Sequence, residues 1–179
     1  MRIYELNSLV DVHPHLITAE GESREYQETP PPRHGAAWRP PRLKLLEKHL
    51  PPSDTPGLLP GFPIFNRRAV DVLRKLVEPS AEILPVDCQD GEFYLINVYR
   101  VLEAFDIERS EIEWFPNAEE KELMMSVERY EFIPEKIGDY AIFRTNALKS
   151  SWVYVTDRFV RAVEEAELVG FVFTQLWEG

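Results

Sequence analysis

Two stretches of the chain carry apolar residues at clear helical spacing. Ala69, Val70, Leu73, Leu76 and Val77 form one stripe, with Asn66 ahead of it and Pro79 behind. Phe159, Val160, Val163 and Ala166 form another, with Thr156 ahead and Gly170 behind. Asn and Thr side chains accept hydrogen bonds from the free amides of a helix's first turn, so helices are predicted over Arg67–Val77 and Asp157–Glu167. Val98, Val101, Leu102 and Phe105 run at i, i+3, i+4 and i+7 behind Asn97 and predict a third helix. A shorter one is expected at Leu43–Leu50, ended by Pro51 and Pro52.

Elsewhere the period shortens to two. Ala81–Val86 and Glu92–Ile96 flank Asp87-Cys88-Gln89-Asp90-Gly91, whose Asp-Gly pair suits the positive dihedrals of a hairpin turn. Ser110–Phe115 alternates Ile112 and Trp114 with Glu111 and Glu113, as in a strand with one buried and one acidic face. After the charged turn Pro116–Glu122, strands are predicted at Leu123–Phe132, Ala141–Arg144 and Trp152–Val155. Phe171–Trp177 is apolar on both faces, which predicts a central or covered strand. A short strand is expected at Ile3–Leu6.

Most of the 15 prolines fall before residue 64, and Thr29-Pro30-Pro31-Pro32 lies within a polar stretch. Proline removes an amide donor and favours extended backbone, so residues 20–42 are expected to form a loop or arm, with Trp38 pinning it to the body. The fold class predicted is α+β, a mainly antiparallel sheet with about three principal helices, preceded by a proline-rich irregular N-terminal arm. The division expected is residues 1–60 for the N-terminal strand, arm and linker, and 61–179 for the regular α+β domain.

Charge narrows the choice of partner. The net charge is −11, and residues 102–139 carry 12 Asp and Glu against 4 Lys and Arg, whereas residues 1–80 are nearly balanced at 10 against 11. An acidic stretch repels phosphate backbones and anionic lipid and attracts a basic protein, so neither nucleic acid nor membrane is expected as a ligand. The N-terminus lacks the apolar run of a secretory signal, and no stretch reaches the roughly 20 apolar residues of a spanning helix. A cytoplasmic location is expected. Glu164, Glu165 and Glu167 crowd the C-terminal end of the last predicted helix, where the macrodipole favours cations. That placement asks for a compensating contact, a binding surface being one such.

Searching for chemistry returns little. The eight glycines are scattered with no phosphate-cradling spacing, and H-E-x-x-H, C-x-x-C and G-x-S-x-G are absent. Cys88 is the sole cysteine, and all four histidines precede residue 50, with His13-Pro14-His15 poorly placed to share an ion. No catalytic, cofactor-binding or metal-ligating residues are assigned, and no enzyme is expected.

Several fragments in the C-terminal two-thirds fall in a characteristic order: Gly61-Phe62-Pro63-Ile64-Phe65, Leu84-Pro85-Val86-Asp87-Cys88, Tyr94-Leu95-Ile96-Asn97-Val98, Val155-Thr156-Asp157-Arg158-Phe159-Val160, Leu168-Val169-Gly170-Phe171-Val172-Phe173 and Leu176-Trp177. Over about residues 61–177 they resemble the bacterial polymorphic-toxin immunity-protein family with a myxobacterial prototype, formerly a domain of unknown function. The resemblance implies a stoichiometric partner, a cognate toxin protein encoded by an adjacent gene, and no substrate or cofactor. It carries over no binding residues. From charge and aromatic content, the expected partner-binding residues are Asp106, Glu108, Glu111, Glu113, Trp114, Glu119, Glu120 and Glu122, with Phe115 beside them. The alternative is an adaptor of a secretion or surface system that offers its proline-rich arm to a partner groove.

Overall fold

The computed structural model describes residues 1–21, 31–115, 124–145 and 152–179. Among them are twelve strands and three α-helices: β1 (Arg2–Ser8), β2 (His15–Thr18), β3 (Leu43–Leu46), β4 (Ile64–Asn66), α1 (Arg67–Val77), β5 (Ala81–Pro85), β6 (Phe93–Val98), β7 (Val101–Leu102), β8 (Glu111–Trp114), β9 (Met124–Arg129), α2 (Pro134–Ile137), β10 (Ile142–Thr145), β11 (Tyr154–Thr156), α3 (Asp157–Glu165) and β12 (Phe171–Glu178). The fold is α+β and mostly antiparallel.

A five-stranded sheet in the order β12-β1-β11-β10-β7 is the centre of the structure. Its pairs are antiparallel except β10 with β7, which is parallel. Adjacent residues on its strands point to opposite faces, and both faces are covered. Ile142 and Val155 face one cluster with Leu73 of α1 and Phe159 of α3, while their neighbours Phe143 and Tyr154 face another with Phe105, Phe132 and Ile137. A three-stranded sheet, β4-β6-β5, repeats the device. Phe65 and Ile96 join the helices, and Ile64 and Leu95 face a third cluster under the β2–β3 ribbon.

Asn66 caps α1 as its position predicts, accepting a 2.9 Å bond from the Ala69 amide. Thr156 occupies the N-cap position of α3 in extended backbone, but its side chain makes no cap bond. The glutamates at the C-terminal end of α3 find their compensation within the chain. Arg68 of α1 donates to the carbonyls of Ala166 (2.6 Å) and Glu167 (3.2 Å), placing a cation where the macrodipole is negative.

Two predicted helices are strands instead. Leu43–Leu46 pairs with His15–Thr18, and its burial alternates: Leu43 is buried and Lys44 exposed. An eight-residue segment between prolines is too short to be helical alone, whereas the ribbon buries Leu16 and Leu43 against Ile64 and Leu95. The stripe Val98–Phe105 is likewise not helical. β6 runs on to Val98 between β4 and β5, with Asn97 opposite Glu82. Instead of capping a helix, the Asn97 amide donates sideways to Glu82 (3.0 Å) and to the Pro32 carbonyl (2.8 Å). Phe171–Glu178 is a strand with half-buried side chains packed on both clusters, but among the described residues it pairs only with β1, so it is an edge strand and not a central one.

Residues 31–42 lie against the three-stranded sheet. Glu82 accepts from the amides of His34 and Gly35, both at 2.8 Å, and the Trp38 indole donates to the Pro85 carbonyl at 2.7 Å. Burial alone would raise the Glu82 pKa. The two backbone amides, with Asn97 and Arg33, outweigh it and hold the carboxyl below its ordinary range. At the other side of the helices, Asp54 is 7% exposed at its side chain and accepts from Asn66 Nδ2, Arg68 Nη1 and the Val169 amide, all at 2.8 Å.

Two outcomes follow. Asp54→Ala strands three donors around a buried site and should cost about 3 kcal/mol of stability, read from urea unfolding. Because the Glu82 pKa is lowered on folding, its docking contribution is complete above the unfolded value of about 4.3 and is lost as pH falls through the lower folded value. Tryptic cleavage after Arg33 should therefore stay slow at pH 7 and become fast in Glu82→Gln, with the global fold retained by circular dichroism.

Candidate partner-binding surface

β8 and β9 form a two-stranded antiparallel hairpin standing on the second cluster, the one that contains Phe105, Phe132 and Tyr154. Its base is closed by a Phe105–Phe132 bridge, by Asp106 N to Glu131 O (2.9 Å) and by Ile133 N to Ala104 O (2.8 Å). Alternation along β8 half-buries Ile112 and Trp114 and turns Glu111 and Glu113 outward. Ile112 packs into the second cluster, and Trp114 pairs with Met124 at the far end.

The expected binding residues divide by environment. Asp106 is committed to the turn before β8: its carboxylate accepts from the Arg109 amide (3.1 Å) and its carbonyl from Ser110 Oγ (2.6 Å). Glu108 is exposed in that turn beside Ile107, which is 45% exposed. Glu111 and Glu113 share the outer face. Glu119, Glu120 and Glu122 lie outside the described residues. Phe115, at 43% exposure, continues the strand beyond Trp114.

Sequence reading missed the contribution of β9. Arg129 sits opposite Glu111 and bonds it at 2.9 Å while also reaching Glu131 at 2.9 Å, and Ser126 donates to Glu113 at 3.0 Å. Among the described residues the hairpin face is therefore an acidic surface with Arg129 set into it. These pairs are solvated and contribute little to stability; they orient the carboxylates. Two register shifts in the hairpin accompany exposed Met125 and Glu128. Only register could have revealed these pairings, and β9's pattern is too irregular to fix it. Glu131 also accepts from the Trp177 indole at 3.0 Å, tying the hairpin to edge strand β12.

Clefts lie elsewhere among the described residues. One of about 520 Å³ is lined by Lys48, Arg67 and Arg68 as well as Asp90 and Glu92. One of about 440 Å³ is lined by Leu6–Ser8, Val10, Asp11, His15, Glu47 and Gly57–Pro63. Among the described residues no group of three or more His, Cys, Asp or Glu side chains is placed to hold a metal ion, and no helix is long and apolar enough to cross a membrane.

A family model described as Immunity protein family (Imm11) matches residues 7–177. The chain belongs to the Imm11 immunity protein family. The Imm11 match begins well ahead of residue 61, where the sequence motifs begin, and takes in the end of β1, the β2–β3 ribbon and the proline-rich segment. No curated protein matches the chain. In this Imm11 protein the hairpin's attachment can be tested directly. Trp177→Ala removes an aromatic that packs 6.1 Å from Phe132 and donates to Glu131. It should cost about 3 kcal/mol and accelerate amide exchange in β8 and β9 more than in β5 and β6.

Proposed function

We propose that this Imm11 protein neutralises a cognate toxin of a bacterial polymorphic-toxin system by direct stoichiometric binding, without chemistry of its own, in the cytoplasm of the producing cell. Family membership over residues 7–177 is the observation that carries the reading. The partner is a basic toxin protein encoded beside it, and the surface that meets it is the outer face of the β8–β9 hairpin with the adjoining acidic residues: Asp106, Glu108, Glu111, Glu113, Glu119, Glu120 and Glu122, with Trp114 near its end.

The physics favours such a surface for a fast inhibitor. The chain carries a net charge of −11, concentrated in residues 102–139. A field of one sign speeds encounter with a basic partner and discriminates between partners more than it adds affinity. Exposed Phe115, Ile107 and Met125 lie among the carboxylates and supply apolar area to bury. The adaptor alternative needs a free proline-rich peptide, and residues 31–38 are instead bonded to Glu82, Asn97 and Pro85.

Co-expression with the adjacent gene product, scoring survival and co-purification together, tests the reading. Rescue with a stable complex is expected. Charge reversal at Glu111, Glu113, Glu119 and Glu120 should lower the association rate on the order of tenfold or more at low salt and flatten its salt dependence. Absence of both rescue and complex would overturn the proposal; a complex indifferent to these four residues would move the surface elsewhere.

A further inference from the structure

The 440 Å³ cleft is a second charged feature, remote from the hairpin along the chain and built differently. Its walls are fixed. Leu9 N donates to Gly170 O (2.9 Å), His13 Nδ1 meets Pro51 O (2.8 Å), and Leu16 N donates to Gly57 O (2.6 Å), so the loop between β1 and β2 is fastened at both ends. Val10 lies so close to Gly57 that a Cβ there would come within 2.1 Å of it, leaving no room for any side chain but hydrogen. Opposite, Leu59 and Phe62 close a tight turn through Gly61, whose φ is +79°. Phe62 is buried, with the Arg144 guanidinium 5.8 Å from its ring.

The charge of the lining is one-sided. Asp11 and Glu47 are its acidic groups and His15 is the remaining titratable one, 3.3 Å from the Glu47 carboxylate; among the described residues no Lys or Arg side chain lines it, and the buried Arg144 guanidinium donates to the Gly61 carbonyl behind the wall. Two apolar side chains of the lining are left in solvent: Val10 at 42% and Leu59 at 44%. Glu47 takes a positive φ of 54°, a conformation that costs a non-glycine residue energy and is found where the surroundings impose it. The 520 Å³ cleft, by contrast, mixes Lys48, Arg67 and Arg68 with its acids and has no comparable bias.

A preformed apolar slot with carboxylates on its lining suits a long cationic side chain, whose aliphatic stem covers apolar surface while its head finds an anion. The volume lies in the range of clefts that hold a ligand, so the side chain can enter with part of its loop. We propose that this cleft receives an arginine- or lysine-bearing apolar loop of the cognate toxin, as an anchor additional to the hairpin face. The inference rests on the immunity reading and names a further part of the partner's chemistry.

The test is titration calorimetry of the full-length protein with the purified, catalytically inactivated product of the adjacent toxin gene. Asp11→Asn combined with Glu47→Gln removes the two carboxylates, and Leu59→Lys supplies a cation from within. Both substitute exposed side chains, and melting curves verify that they fold. Each should weaken binding about 30-fold, the size of an interface hot spot. Wild-type binding with both variants unimpaired would overturn the cleft and leave the immunity reading standing. Loss in Leu59→Lys alone would overturn the cationic occupant. Absence of wild-type binding would overturn the immunity reading and the cleft with it.

Discussion

One buried carboxylate sets the geometry on which the helical layer depends. Asp54 accepts bonds from Asn66, Arg68 and the Val169 amide, and its own backbone joins Val169 O and Asn66 N at 2.9 Å each. Asn66 begins α1, Arg68 closes the C-terminal end of α3, and Val169 precedes β12. A proline-rich linker residue thus fixes where one helix starts, where another stops and where the last strand departs. Burying a charge is costly unless it is fully bonded, and here the bonds come from three elements that hydrophobic packing alone would allow to slide.

Sequence periodicity found the elements whose apolar residues all face one core. The stripes of α1 and α3 both join the first cluster, and both helices were legible with their N-cap positions. Val98, Leu102 and Phe105 share the same spacing but part company: Val98 enters the first cluster, and Leu102 and Phe105 the second. A helical stripe cannot divide between the two sides of a sheet, and the linear pattern holds no record of which core a residue joins. The same limit hid the β2–β3 ribbon, whose burial depends on Ile64 and Leu95, residues distant along the chain.

Charge was legible where it is local. The outward Glu111 and Glu113 follow from alternation within four residues, whereas Arg129, which bonds Glu111, comes from the other strand across a register shift. The cleft beyond β1 was invisible for a stronger reason. Its lining is assembled from residues 6–15, Glu47 and 57–63, three segments far apart along the chain, none of whose local patterns points to the others. An acidic surface in this protein is thus partly a property of the sequence and partly of how the folded chain withdraws or retains neutralising cations.

The position of β1 between β11 and β12 has a temporal side. β1, second in the larger sheet, is made well before both of its neighbours. At synthesis rates of about 5–20 residues per second, β1 waits roughly 8–30 s for them, while the β5–β6 hairpin can close as soon as it leaves the ribosome. Until β12 has been made the larger sheet stays open, and a β1 already outside the ribosome lacks at least one of its two strand partners.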